Sequence, residues 1–241
     1  MIIYIVFGIL PSLVWLFYYL RKDLHPEPRR MIIKIFLWGA LMTLPVSLIQ
    51  EGLSYLLGLT SFGLMTRALL YWFLVIALSE EFFKYLVVKV KVMDSPHLDE
   101  PLDIMLYMVV AALGFAAVEN ILYLFQPIMG QVSLIKVIEG TLILDIVRFI
   151  GATFLHTLCS ATIGYSLAIS VFEAKRKKLY LISGILIAMV LHGLYDFSIM
   201  TLSGSSNINI AIPVVIIMTL ALLVFSGFER LKKMKSICKL K

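Results

Sequence analysis

Carboxylate and imidazole side chains interrupt parts of this sequence that are otherwise strongly apolar. The acids are Glu80, Glu81 and Glu119, and the imidazoles are those of His156 and His192. A carboxylate beside a neutral imidazole can take a proton from water, and the same groups can hold a divalent metal that activates the water. Both arrangements lead to hydrolysis, so these five residues are the candidate catalytic set.

The apolar run 69–88 carries two adjacent acids and a base, Glu80, Glu81 and Lys84. On insertion scales a charge near the bilayer centre costs about 2.5–3.5 kcal/mol, whereas a Leu or Ile gains about 0.5 kcal/mol. Three such charges nearly cancel the favourable insertion of the run. Ionisable groups at this depth are typical of a functional site that faces a polar cavity.

Polar companions accompany the candidate catalytic residues at helical spacing. Lys84 lies four residues after Glu80 and is its natural ion-pair partner, which favours Glu81 for the chemistry. Asp196 lies four residues after His192, where it can orient the imidazole. The other supporting candidates are Asn120, Arg148 and Ser160.

Each polar pair, taken alone, is more often a structural contact than a catalytic one, and Arg148 can neutralise Asp145 or Glu139. Four separate apolar runs nevertheless carry such groups at similar depth, with Glu119 somewhat nearer the outer side. That coincidence favours a shared functional site, in a cavity that runs from the middle of the membrane toward the exterior.

The elements that position these residues are predicted to be membrane-spanning helices. The chain has 241 residues, of which 61% are hydrophobic and 15% charged, and its mean hydropathy is +0.98. An all-α bundle follows, because an open backbone in lipid leaves its polar groups unsatisfied. Seven apolar runs read as spans, at 2–20, 31–57, 66–89, 104–125, 141–171, 180–202 and 208–228.

The distribution of basic residues predicts the orientation. Lys and Arg follow the first, third and fifth spans and fill the tail 229–241, whereas the other loops are nearly bare. The positive-inside rule then places the N-terminus outside and the C-terminus in the cytoplasm. The run 141–171 is long, and the segment before it, with Lys136 and Glu139, is an alternative eighth element.

Residues 1–241 are predicted to form a single integral membrane domain, because no stretch remains for a soluble one. The formal net charge of +6 is interpreted as an orientation signal, and nucleic acid is not an expected partner. The segment His25-Pro26-Glu27-Pro28 is expected to be a stiff non-helical turn, since proline biases its predecessor toward an extended conformation.

The ordered motifs resemble those of the PrsW family of intramembrane proteases, which is similar to the wider CAAX-processing and bacteriocin-immunity group. Between residues 21 and 197 the motifs are Arg21-Lys22-Asp23, Pro26-Glu27-Pro28, Glu80-Glu81-Phe82-Phe83-Lys84, Phe115-x3-Glu119-Asn120, Arg148-x7-His156 and His192-x3-Asp196. The wider group usually has His where this chain has Glu119 and often has Asn where it has Asp196.

This resemblance implies that Glu80 and Glu81 form the catalytic acidic motif, completed by Glu119, His156 and His192. Glu119 and the two histidines are then the candidate ligands of zinc or another divalent metal, and a metal-free glutamate mechanism is equally compatible with the residues.

The same resemblance implies cleavage of a single-span membrane protein, such as an anti-sigma factor, in regulated proteolysis. Membrane lipid is the second expected partner, and the expected location is the plasma membrane of a bacterium or archaeon.

Two other functions fit an intramembrane polar cluster. A proton-coupled transporter would use the ionisable groups as a relay, but it predicts inverted repeats, which the sequence lacks. A non-catalytic scaffold predicts loss of the acids or histidines, and none is missing.

Overall fold

The computed structural model describes residues 2–22, 25–125, 149–200 and 207–234. Within these ranges the protein is all helical and contains no strand, which confirms the predicted all-α fold. The described part of each of the seven predicted spans lies in a helix, whereas residues 141–148 of the fifth and 201–202 of the sixth lie outside the described part of the chain. The helices are α1 (Ile2–Leu20), α2 (Arg29–Gly58), α3 (64–91), α4 (Pro101–Phe125), α5 (149–172), α6 (Lys177–Met200) and α7 (Asn207–Leu231).

Five of these helices, α2, α4, α5, α6 and α7, are long and apolar enough to cross a membrane. The shorter α1 is also apolar along Ile5–Leu20. Helix α3 contains the charged residues Glu80, Glu81 and Lys84 in its middle. The number of crossings and the orientation remain predictions.

Helix α4 is the central helix of the bundle, with α1, α2 and α5 packed around it. It is mostly apolar and almost wholly buried, as expected of a helix surrounded by others. Gly39 of α2 and Gly114 of α4 let these two helices meet backbone to backbone. A Cβ atom at Gly39 would overlap the carbonyl of Ala111, and one at Gly114 would overlap the carbonyl of Phe36.

The segment His25–Pro28 is non-helical, as predicted, and leads directly into α2. It is fixed to the start of α4 by two contacts. The Tyr107 hydroxyl donates a hydrogen bond to the Glu27 carboxylate, and His25 Nδ1 lies 2.7 Å from Glu100 Oε1. The turn therefore holds the basic end of α2 against α4.

Two π-helical segments directly precede polar parts of the bundle. Tyr71–Leu78 is π-helical and leads into Ser79–Lys91 within α3. Phe149–Thr153 is π-helical and leads into Phe154–Phe172 within α5. Because π-helical hydrogen bonds span five residues rather than four, these segments change which side chains face the interior.

Candidate active site

Lys84 lies at the centre of a buried polar cluster, and its own side chain is fully buried. Its Nζ lies 2.8 Å from Glu81 Oε1, 3.3 Å from Glu80 Oε2 and 2.8 Å from His156 Nδ1. An ammonium group has three donors, and these contacts use all of them. Lys84 is thus closer to Glu81 than to Glu80, the partner expected from the i+4 spacing.

Glu81 is fully buried, and both of its carboxylate oxygens have partners. Oε1 faces Lys84 and also lies 3.1 Å from His192 Nδ1. Oε2 accepts a hydrogen bond from Ser160 Oγ at 2.9 Å. Glu81 therefore links α3 to α5 and α6, and it is absent from the lining of the neighbouring cavity.

Glu80 is the member of the acidic pair that lines this cavity. Its Oε1 accepts a hydrogen bond from Gln50 Nε2 at 3.3 Å. Its Oε2 lies 3.7 Å from His156 Nδ1 and 3.9 Å from His192 Nε2. The geometry thus favours Glu80, rather than the Glu81 favoured by the sequence, as the carboxylate that can reach a molecule in the cavity.

The imidazole of His156 is held from both sides. Its Nδ1 faces the Lys84 ammonium, and its Nε2 lies 2.7 Å from Glu119 Oε2. Because a protonated ammonium can only donate, a neutral His156 accepts at Nδ1 and carries its hydrogen at Nε2, toward Glu119. Glu119 lines the cavity beside it.

The imidazole of His192 has carboxylates at both nitrogens. Nδ1 faces Glu81, whereas Nε2 lies 3.3 Å from Asp196 Oδ2 and 3.9 Å from Glu80 Oε2. Ionised carboxylates can only accept hydrogen bonds. A hydrogen on Nε2, or a cation bound there, would therefore give the imidazole a favourable contact with Asp196 and Glu80.

Glu80, His156 and His192 form a possible metal-binding group, since one ligand atom from each lies within 4.8 Å of the others and all three residues are buried. Two histidines and a glutamate are a recognised ligand set of catalytic zinc. The sequence had instead combined the histidines with Glu119. In the structure, Glu119 contacts Nε2 of His156 and Glu81 contacts Nδ1 of His192, so each carboxylate lies at the nitrogen that faces away from the possible metal position. Carboxylates in such positions orient metal-bound histidines. Lys84 holds His156 Nδ1 in this arrangement, and a metal at that atom would replace this contact.

The other supporting candidates are distributed differently. Ser160 and Asp196 belong to the cluster, through Glu81 and His192. Asn120 is buried and donates hydrogen bonds to the Gly8 carbonyl at 3.3 Å and to Thr153 Oγ1 at 3.0 Å, so it connects α4 to α1 and α5. Arg148, with its alternative partners Asp145 and Glu139, lies outside the described residues.

The cavity beside the cluster has a volume of about 550 Å³. It extends from Glu80 and the imidazoles toward the ends of the helices that the orientation prediction places outside, where Tyr71, Tyr123 and Met200 line it. The space is therefore bounded by reactive groups at its base and by aromatic side chains further out.

Sequence reasoning missed the contribution of α2 to this cavity. Thr43, Ser47 and Gln50 line it and follow one another at spacings of four and three residues, which places them on one helical face. Gln50 Nε2 also contacts Ser79 Oγ at 3.2 Å. The sequence signal that could have indicated this contribution is the occurrence of three polar residues at helical spacing in an otherwise apolar span.

We expect Gln50→Leu to lower the rate of any reaction that uses Glu80 by up to about tenfold, because one hydrogen bond that orients the carboxylate is lost. Turnover of the purified protein measures this effect. Ser54→Ala, one helical turn further along α2, serves as the control and should leave the rate unchanged. Equal rates for wild type and Gln50→Leu would show that Gln50 does not orient Glu80.

Comparison with known proteins gives a consistent family assignment. A sequence model described as "PrsW family intramembrane metalloprotease" matches residues 27–224. The chain is 32% identical over 191 residues to the protein named Protease PrsW of Geobacillus kaustophilus, covering 79% of this chain and 76% of that one. It is also similar to the Protease PrsW of Oceanobacillus iheyensis (32%, covering 79% and 80%) and of Clostridioides difficile (30%, covering 80% and 77%). No solved structure gives a significant match.

Proposed function

The chain belongs to the PrsW family of intramembrane metalloproteases, and on this premise we propose that it hydrolyses a peptide bond of a membrane-anchored protein at the base of the cavity. A multi-pass membrane protease is what the family and the apolar helices establish. A family of proteases gives no support to the alternative functions of transporter or scaffold.

The position of Glu80 is the observation that carries the proposed mechanism. Its carboxylate lines the cavity and lies within 4 Å of a nitrogen of both His156 and His192. We assign Glu80 the role of general base, which takes a proton from the attacking water. The same group can return that proton to the leaving amine when the peptide bond breaks.

Glu81, Glu119 and Asp196 are proposed as positioning residues. Each contacts an imidazole in the structure, His192 for Glu81 and Asp196, and His156 for Glu119. Carboxylates in such positions fix the orientation of the ring and its tautomer. Lys84 contacts both members of the acidic pair and holds them in place.

In the metal-dependent form of this mechanism, a divalent metal held by Glu80, His156 and His192 would supply Lewis-acid activation of water and of the scissile carbonyl, and Glu80 would then act as a ligand instead of as the general base. The chain's own contribution is to orient these ligands through Glu81 and Glu119 and to exclude bulk water from the buried cluster.

The proposed substrate is a single-span membrane protein, such as an anti-sigma factor, cut near the outer membrane face. The cavity's extension toward the predicted outer ends of the helices supports this site of cleavage. The curated relatives come from bacteria, which supports a bacterial plasma membrane as the location. We further propose that residues 1–241 act as one membrane domain.

The direct test is proteolysis by purified protein reconstituted in vesicles with a tagged single-span substrate. Wild-type protein should release a fragment whose new terminus lies in or beside the substrate's membrane segment. The His192→Ala variant, at equal expression, should release no such fragment. The control variant Lys178→Gln, at an exposed position of α6, should cut the substrate as wild type does. Failure of wild type against a panel of single-span regulators, together with normal folding, would contradict the proposal.

Metal removal gives a separate prediction. Treatment with a chelator should abolish cleavage, and added Zn²⁺ should restore it, because the Glu80, His156 and His192 ligand set suits that ion. Elemental analysis should find about one metal ion per wild-type chain and much less in a His156→Ala/His192→Ala double variant. Full activity without bound metal would instead support the metal-free mechanism, in which a glutamate activates the water.

A further inference from the structure

A second groove lies on the other side of α5, between α1 and α7, with a volume of about 600 Å³. Its walls are almost wholly aromatic and aliphatic. Those that matter here are Trp15 and Tyr18 of α1, Phe154 and Leu158 of α5, and Phe225 and Phe228 of α7. None of these residues belongs to the proposed active site, so the groove calls for its own explanation.

Among the described residues that line the groove, the charged ones all lie at one end. Lys22 and Lys232 line this end, together with Glu229. Glu229 lies 3.4 Å from Lys232, but its side chain is 48% exposed, so this surface pair is weak. Lys22 Nζ lies 5.2 Å from the centre of the Tyr18 ring. Of the described residues at this end, two lysines against one glutamate give a net positive charge.

The length of the groove matches one leaflet of a bilayer. The stretch of α7 from Met218 to Lys232 rises about 21 Å, and one leaflet including its headgroup region is about 20–22 Å thick. The apolar wall therefore fits acyl chains, and the lysines lie at the depth of the headgroups. Basic pockets between membrane helices characteristically bind anionic headgroups.

We propose that this groove binds one phospholipid with an anionic headgroup. The acyl chains lie along the aromatic walls, and the headgroup phosphate contacts Lys22 and Lys232. The groove differs in ligand, position and composition from the active-site cavity, and the proposal does not depend on the proposed proteolytic mechanism.

The bound lipid would also support the helix that carries His156. Trp15 stacks on Phe154 with ring centres 4.3 Å apart, and Tyr19 Oη lies 3.3 Å from Thr157 Oγ1. These contacts lie on the groove side of α5, and His156 lies on the cavity side of the same helical turns. A lipid in the groove therefore packs against α5 from behind the active site.

The test uses Trp15 as a reporter in a Trp38→Phe/Trp72→Phe variant reconstituted in vesicles of equal parts phosphatidylglycerol and phosphatidylcholine. Bromine atoms on the acyl chains of one lipid quench a tryptophan in contact with it. We expect brominated phosphatidylglycerol to quench Trp15 more than brominated phosphatidylcholine, with a relative association constant of about fivefold or more.

Two charge variants identify the headgroup contact. Lys22→Gln/Lys232→Gln should reduce the preference for phosphatidylglycerol severalfold, whereas Lys177→Gln/Lys178→Gln, both exposed at the start of α6, should leave it unchanged. An unchanged circular dichroism spectrum confirms folding of each. Equal quenching by both lipids would overturn the anionic preference, and no quenching by either would show that lipid does not enter the groove.

Discussion

Replacement of Glu80 by Gln is expected to lower the rate of proteolysis by about 10²–10⁴-fold while the protein remains folded. The amide keeps the shape of the side chain but cannot accept a proton from water. Lys84 retains Glu81 and His156 as partners, so stability should change little. Turnover of a tagged substrate and thermal unfolding of the same preparation measure the two effects separately.

Glu51→Gln is the matched control, because it removes the same charge from an exposed position of α2, and its activity should equal that of wild type. Glu81→Gln should behave differently from Glu80→Gln. It should lose both activity and stability, since Lys84, Ser160 and His192 all contact that carboxylate. A stable, inactive Glu81→Gln beside an active Glu80→Gln would reverse the two assigned roles.

Replacement of Lys84 by Met is expected to destabilise the protein by about 3–5 kcal/mol, because it leaves buried carboxylates without their cation. Methionine has a similar length and fills the space against Phe115, over whose ring the ammonium now lies at 4.6 Å. The loss of stability should therefore reflect the missing charge and not a cavity left by the substitution. Thermal or denaturant unfolding in mixed detergent and lipid micelles measures it.

A double-variant cycle tests the cause of this loss. Combining Lys84→Met with Glu81→Gln removes both members of the closest ion pair that Lys84 forms, and the double variant should be more stable than the sum of the single effects allows. Lys89→Met, an exposed position two residues before the end of the same helix, should cost little. If the stability losses of the two single variants simply add up in the double variant, the charges of Lys84 and Glu81 do not stabilise each other.

The placement of the helices could be predicted from the sequence because it depends on local properties. Runs of apolar residues long enough to cross a bilayer identify helices regardless of their neighbours. The non-helical turn at Pro26 and Pro28 follows equally from local backbone restrictions. The π-helical segments Tyr71–Leu78 and Phe149–Thr153 could not be predicted, since an apolar run fits an α-helix equally well and π-helices are rare.

The grouping of Glu80, Glu81, His156 and His192 also follows from depth along each helix, which counting residues provides. Counting residues does not provide the rotation of each helix about its own axis. Neighbouring residues such as Glu80 and Glu81 point about 100° apart, and only packing determines which one faces the cavity. The same limit explains why Lys84 was assigned to Glu80 by spacing although its closer contact is Glu81.

The close approach at Gly39 and Gly114 has a consequence for how a substrate enters. That half of α2 cannot slide or rotate, because its backbone touches α4. Pro45 then removes one hydrogen bond from the helix and permits a bend. Beyond it, residues 47–58 are mostly exposed. We therefore expect any bending of α2 to occur at Pro45, and a bend that moves the outer half outward would separate Gln50 from Glu80 and widen the cavity.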